Sequence, residues 1–130
     1  MSAATGTELT VAAPLPGMES LTTFSLVPVE HAVGLFSLES TEDEEVRLYL
    51  LDSATHLPDY RPRFSDEQLG RIGTPAAGGL SILTIVNTSG GRPTVNLLAP
   101  LLVNDATGAC AQVILDGQDW PLRAPLLAPA

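Results

Sequence analysis

Thr94–Leu115, read as TVNLLAPLLVNDATGACAQVIL, is the stretch whose reading decides the fold. It is the most apolar part of the chain and carries one charged residue, Asp105. Val95, Leu97, Leu98, Ala99, Leu101, Leu102 and Val103 run nearly unbroken, interrupted by Asn96 and Pro100. A polar turn, Asn104-Asp105-Ala106-Thr107-Gly108, separates them from a second β-type run, Ala109–Leu115. Continuous apolar runs of strand length mark strands buried on both faces, so this stretch predicts a central hairpin. Pro100 has no N–H to give to a ladder, which predicts a bulge, corner or edge there. Asn96 and Asn104 are polar members of apolar surroundings. A buried Asn must find partners for both its amide and its carbonyl. Each is therefore either a bridge to a neighbouring loop or part of a recognition surface.

On either side of the hairpin the signals are again β-type. Leu80–Asn87 (LSILTIVN) is apolar on both faces and predicts a central strand. Glu8–Ala13, Thr22–Val29, Gly34–Ser40 and Glu44–Leu51 predict shorter strands; in the last, Val46, Leu48 and Leu50 alternate with Arg47 and Tyr49. Thr41–Glu45 is an acidic connection. Asp52–Arg63 is expected to be irregular, because Pro58 and Pro62 restrict the residues before them. Ser65-Asp66-Glu67-Gln68 has the form of a capping box and predicts a helix stopped by Gly70 and Gly73. Trp120–Ala130 is Pro-rich. The sum is seven or eight short strands and one short helix near residues 65–72. That is a mainly all-β fold, a small antiparallel barrel or sandwich.

Length and composition narrow the class. A chain of 130 residues corresponds to one domain on the prior of about 100–200 residues each. Residues 1–7 are expected to form a disordered tail, 8–127 a single β domain and 128–130 the C-terminal end. Cys110 is the one cysteine, so no intrachain disulfide forms; its apolar neighbours predict a buried, inert thiol. The first residues lack the basic and apolar regions of a signal peptide, and no apolar run reaches the ~18 residues of a membrane span. A cytoplasmic location is expected.

Charge is one-sided: fifteen acids face six bases, all of them Arg, for a net charge of −9. Residues 30–67 hold ten of the fifteen acids, including Glu42, Asp43, Glu44 and Glu45. A field of this sign repels nucleic acid, whose binding relies on cations that displace counterions, and speeds encounter with a basic protein.

Catalytic and metal signatures are sparse. His31 and His56 each stand alone, without Cys or His at metal spacing. Glu30 beside His31 reads as a surface loop pair. The chain contains no G-x-S-x-G, no H-E-x-x-H and no glycine-rich phosphate loop leading into a helix. The acidic run 42–45 sits in one loop and reads as solvated, whereas paired catalytic carboxylates need a cleft. These residues point to a binder that is not an enzyme and needs no cofactor. The other classes are an enzyme converging His31 or His56 with acids in a pocket, and a small acidic structural or ligand-binding β-barrel module, such as a small-molecule carrier with a hollow interior.

Several stretches, taken in order, resemble the flagellar assembly factor FliW family. Pro14-Leu15-Pro16-Gly17-Met18-Glu19 is similar to the family's leading proline–glycine motif, and Phe36-Ser37-Leu38-Glu39-Ser40 to its aromatic-x-Leu-x-Ser motif. Pro58-Asp59-Tyr60 matches its Pro-Asp-Tyr element. Val95-Asn96-Leu97-Leu98-Ala99-Pro100 with Asn104, then Gln112-Val113-Ile114-Leu115 and Trp120-Pro121-Leu122-Arg123, follow in the family's order. The likeness covers about residues 8–127. Met18 departs from the family's usual aromatic, and the loops Thr74–Gly79 and Thr88–Arg92 are short. The resemblance implies a non-enzymatic, cytoplasmic regulator that binds flagellin and the translational repressor CsrA, without contacting nucleic acid or membrane. In that family, binding to CsrA relieves repression of flagellin translation, and accumulated flagellin recaptures the factor. Candidate contact residues are Pro58, Asp59 and Tyr60 on the irregular segment, Asn96 and Asn104, the acids Glu42, Asp43, Glu44 and Glu45, and Leu126 and Leu127 on the tail. Tyr60 is either an aromatic anchor for a partner or a plug at one end of the barrel.

Overall fold

Seven strands follow one another around a ring. They are β1 (Thr7–Val11), β2 (Thr23–Pro28), β3 (Leu35–Ser40), β4 (Arg47–Asp52), β5 (Leu80–Asn87), β6 (Thr94–Asn104) and β7 (Ala109–Gln112). Each pairs antiparallel with the next, and β7 pairs with β1 to close the barrel. A short β8 (Ala124–Pro125) lies outside the ring against the start of β6. The computed structural model describes residues 7–12, 15, 20–43, 45–57, 59–75, 79–88, 93–115 and 117–125. The barrel alternative expected from sequence is the one adopted, with one correction to a purely antiparallel reading. The β1–β7 pair is parallel, matching Thr10 with Ala109 and Val11 with Cys110. The cause is arithmetic: in an up-and-down meander an odd strand count leaves the first and last strands running the same way.

The closing seam is narrow and depends on one glycine. Thr10 N–H donates to the Gly108 carbonyl at 2.9 Å, and Ala12 N–H to the Cys110 carbonyl at 2.7 Å. Gly108 has φ of +80°, and a Cβ there would stand 2.7 Å from the Glu8 carbonyl oxygen. Only glycine fits both that backbone conformation and that approach.

Two apolar layers share the strands. Leu9, Phe24, Leu38, Leu50, Leu83 and Leu101 fill the barrel interior. Each such side chain stabilises the fold by about 1.5–3 kcal/mol of burial. A second cluster, outside the wall, gathers Leu51, Tyr60, Ile72, Leu102, Val113 and Leu115. Partly buried Leu57, Phe64, Leu69 and Trp120 cover it from the connecting segments. This second layer explains why β6 is apolar on both faces: one face lines the interior and the other lies under these connections.

Pro100 sits at a bulge, as its missing N–H demands. Ile85 pairs with Asn96 and Leu83 with Leu101, so one residue of β5, Thr84, stands opposite the four of β6 from Leu97 to Pro100. The bulge exchanges the faces of the strand. Val95 and Leu97 point to the outer cluster before it, whereas Leu101 and Val103 point to the interior after it. A single uninterrupted period of two does not place both pairs where they are.

Among the described residues, two helical turns are present. α2 (Asp66–Gly70) has the capping box read from sequence: Ser65 Oγ accepts from Gln68 N–H at 3.1 Å, and Gln68 Oε1 accepts from Ser65 N–H at 2.9 Å. α1 (Ser53–His56) corrects the expectation of an irregular 52–63 segment. Its cap is Asp52, whose carboxylate accepts from Ala54 N–H at 3.3 Å and from the Thr55 hydroxyl at 2.8 Å. The helix ends before the proline-restricted region begins, so both signals operate, one after the other.

Candidate partner-binding site

The acidic connection after β3 is built before it is charged. Ser40 Oγ accepts from the backbone N–H groups of Glu42 and Asp43, both at 3.0 Å. Asp43 Oδ1 accepts from Glu45 N–H at 3.1 Å. Glu42 does more than face solvent. Its Oε1 accepts from Thr22 N–H at 2.7 Å and Thr23 N–H at 3.0 Å, twenty residues back in the chain. Those amides, Thr22 first, hold its carboxyl below the usual carboxylate range. Glu42 therefore fastens the start of β2, which reading it as a solvated loop acid did not show. Asp43 and Glu45 remain exposed. Glu44 lies outside the described residues.

The irregular segment turns inward rather than outward. Tyr60 is 9% exposed, and its hydroxyl donates to the Leu97 carbonyl at 2.6 Å. Its ring meets Trp120 edge-on, with centroids 4.8 Å apart and planes at 81°. Burial pushes its phenol well above the ordinary range. Tyr60 is thus buried in the outer layer, against the β6 bulge, rather than exposed or set at an end of the barrel. Asp59 is exposed beside it. Pro58, Leu126 and Leu127 lie outside the described residues.

Asn96 bonds its own strand's backbone, and Asn104 bridges to a neighbouring segment. Asn96 Oδ1 accepts from Leu98 N–H at 3.1 Å and Ala99 N–H at 2.9 Å, which closes the turn of the bulge. Asn104 is 5% exposed; its Nδ2 donates to the Ile72 carbonyl at 2.8 Å and its Oδ1 accepts from Ala106 N–H at 3.0 Å. It ties the segment after α2 to the turn of the central hairpin, and both ends of its amide are satisfied. Tyr60, Asn96 and the turn around Pro100 thus converge on one place, while Asn104 and the acidic loop lie elsewhere.

Gln118 is the residue that sequence reasoning missed. Its Oε1 accepts from Arg63 N–H at 2.9 Å and its Nε2 donates to the Arg63 carbonyl at 2.8 Å. Trp120 Nε1–H donates to the same Oε1 at 3.3 Å. One side chain therefore clamps two connecting segments fifty-five residues apart in sequence. Nothing in local spacing announces such a pairing.

The histidines do not converge on acids in a pocket. His31 meets Glu30 at 3.2 Å, both nearly fully exposed, and His56 Nε2 is hydrogen-bonded to the Val33 carbonyl at 2.6 Å. Among the described residues, no group of three or more His, Cys, Asp or Glu is placed to hold a metal ion, and no helix is long and apolar enough to cross a membrane. Cys110 is buried, and burial pushes its thiol up to about 11.

Comparison with known proteins places this architecture. The family model described as "FliW protein" matches residues 2–126. The flagellar assembly factor FliW of Thermotoga neapolitana is 32% identical over 112 residues, covering 84% of this chain and 75% of its own. That of Thermosipho africanus is 29% identical over 115 residues, with coverage of 86% and 79%. That of Clostridium kluyveri is 29% identical over 114 residues, with coverage of 86% and 79%. A crystal structure of the flagellar assembly factor FliW superposes with a TM-score of 0.83 at 19% identity, covering 98% of this chain and 89% of that one; at that identity the likeness speaks to the fold. The barrel, the motifs in their order and the match across residues 2–126 lead to one conclusion: the chain belongs to the FliW family of flagellar assembly factors.

Proposed function

We propose that this protein is a non-enzymatic, cytoplasmic regulator that binds flagellin and antagonises the translational repressor CsrA. Its two partners compete, so that free flagellin withdraws it from CsrA. The observation that carries this reading is family membership across nearly the whole chain. The one-sided charge supports it. An exposed acidic connection on a protein of net charge −9 attracts a basic RNA-binding partner at long range without occupying its RNA site. The filled interior also favours a protein-binding surface over a carried small molecule, because Phe24, Leu38, Leu50 and Leu101 occupy the middle of the barrel. Among the described residues, the spaces beside these side chains include two separate ones of about 320 Å³ and 260 Å³.

Calorimetric titration with monomeric flagellin, and separately with CsrA from the same organism, tests the proposal. One-to-one binding to flagellin, with CsrA displaced when both are present, is the expected result. Binding to flagellin alone removes the translational arm and leaves an assembly chaperone. Binding to neither by a folded sample overturns the reading.

A further inference from the structure

Arginine is scarce in this chain, and its placement is uneven. Arg47 pairs with Glu39 at 3.6 Å and Arg71 with Glu67 at 3.5 Å. Arg61 and Arg63 have no carboxylate partner among the described residues. Both line one groove of about 550 Å³, together with Gln118, Asp119 and Trp120. Asp119 shares the groove but forms no ion pair with either arginine among the described residues. Beyond Arg63 the groove continues into a second of about 370 Å³, lined by Phe64, Gln68, Ile114 and Leu115. Ile114 is 57% exposed there, one of the few large apolar side chains left in water. Gln68 Nε2 donates to its carbonyl at 3.2 Å, which fixes the segment after β7 that presents it.

The walls of this trough are held before anything binds. Gln118 clamps the Arg63 backbone from both sides, and Trp120 is held by Gln118 and by the ring of Tyr60. Binding to such a surface has little backbone ordering left to offset. Two guanidinium groups two residues apart in sequence, without a carboxylate partner among the described residues, match carboxylates on a facing chain.

We infer that this trough docks an acidic segment of a protein partner, its carboxylates on Arg61 and Arg63 and an adjacent apolar side chain on Ile114 and Trp120. Charge complementarity carries the choice of sign, since these are cations without a carboxylate partner among the described residues, on a protein of net charge −9. The apolar half of the trough favours a peptide over a nucleic-acid backbone, which has no apolar side chain to set beside Ile114. The inference concerns the chemistry of the docked segment and does not rest on flagellin or CsrA being the partner.

Trp120 is the chain's one tryptophan, so its fluorescence reports this groove directly. The full-length protein is titrated with a blocked peptide of acidic residues and leucine, with its neutral Asn/Gln twin, and with a short single-stranded oligonucleotide. A saturable change with the acidic peptide is expected, with weaker response to the other two. Arg61→Ala/Arg63→Ala weakens that binding about tenfold, while Arg71→Ala leaves it unchanged. The clamp uses the Arg63 backbone rather than its side chain, so the double variant keeps the fold; Arg61→Gln gives a second, milder variant read the same way. Equal affinity for the neutral twin, equal affinity of the double variant, tighter binding of the oligonucleotide, or no response to the acidic peptide overturns the inference.

Discussion

The Tyr60 hydroxyl donates a 2.6 Å hydrogen bond to the carbonyl of Leu97, thirty-seven residues away in sequence, at the bulge where β6 changes faces. Leu97 N–H in turn donates to the Pro121 carbonyl at 3.1 Å. The bulge leaves these groups without β5 partners, and the outer layer supplies them. Tyr60→Phe keeps the ring against Trp120 and leaves the Leu97 carbonyl buried without a donor. A loss of about 1–2 kcal/mol in unfolding free energy is expected, with about 3–5 kcal/mol for Tyr60→Ala. Urea denaturation of the two variants checks the order.

Asn104 is expected to be structural in a measurable way. Asn104→Leu keeps the volume but strands the Ile72 carbonyl and Ala106 N–H. Destabilisation of about 1–3 kcal/mol follows. Hydrogen exchange at Ala106 should speed up in the variant; an unchanged rate would show that water replaces the side chain at no cost.

Glu42 gives the fold an acid-sensitive fastening. Its folded-state carboxyl is held low by the Thr22 and Thr23 amides. A depressed carboxyl contributes stability that is present above its unfolded value and lost as pH falls through the folded one. Glu42→Gln is therefore less stable than the parent near neutrality, and the gap narrows on acidification below pH 4.5. Denaturant midpoints measured at neutral and acidic pH read both halves of this expectation.

Cys110 works in the opposite direction. Burial raises its thiol from 9.0 to about 11. Between those values the unfolded chain has released its proton and the native one has not, so each rise in pH favours unfolding. Stability should fall by about 2 kcal/mol across that window. Cys110→Ala removes this part of the slope, and the raised phenol of Tyr60 adds a further decline above about pH 10. Native Cys110 should also react with a thiol reagent only as fast as the barrel opens.

Gly108 tests the parallel seam. Gly108→Ala places a methyl group 2.7 Å from the Glu8 carbonyl oxygen and forces an L side chain to φ of +80°. The expected cost is about 2 kcal/mol or more, concentrated where β1 meets β7. Loss of protection at the Thr10 amide, which bonds to Gly108, locates the damage by hydrogen exchange.

Much of this molecule is legible in its residue order. Apolar runs and turns marked β5, the long strand β6 and its return through β7. Pro100 announced a bulge because a missing N–H is a local property. The Ser65–Gln68 capping box, confined to four consecutive residues, is formed as spelled. The ordered motifs pointed to the family that comparison shows. Only the tertiary structure decided the rest. Periodicity does not say that seven strands close with a parallel seam, nor that the bulge swaps the faces of β6. It does not place Tyr60 in the outer layer against that bulge, or tie Glu42 to Thr22 and Gln118 to Arg63. The physical reason is the same in each case: these contacts join groups from twenty to ninety-nine residues apart, and which groups meet depends on how the closed barrel brings its strands and loops together.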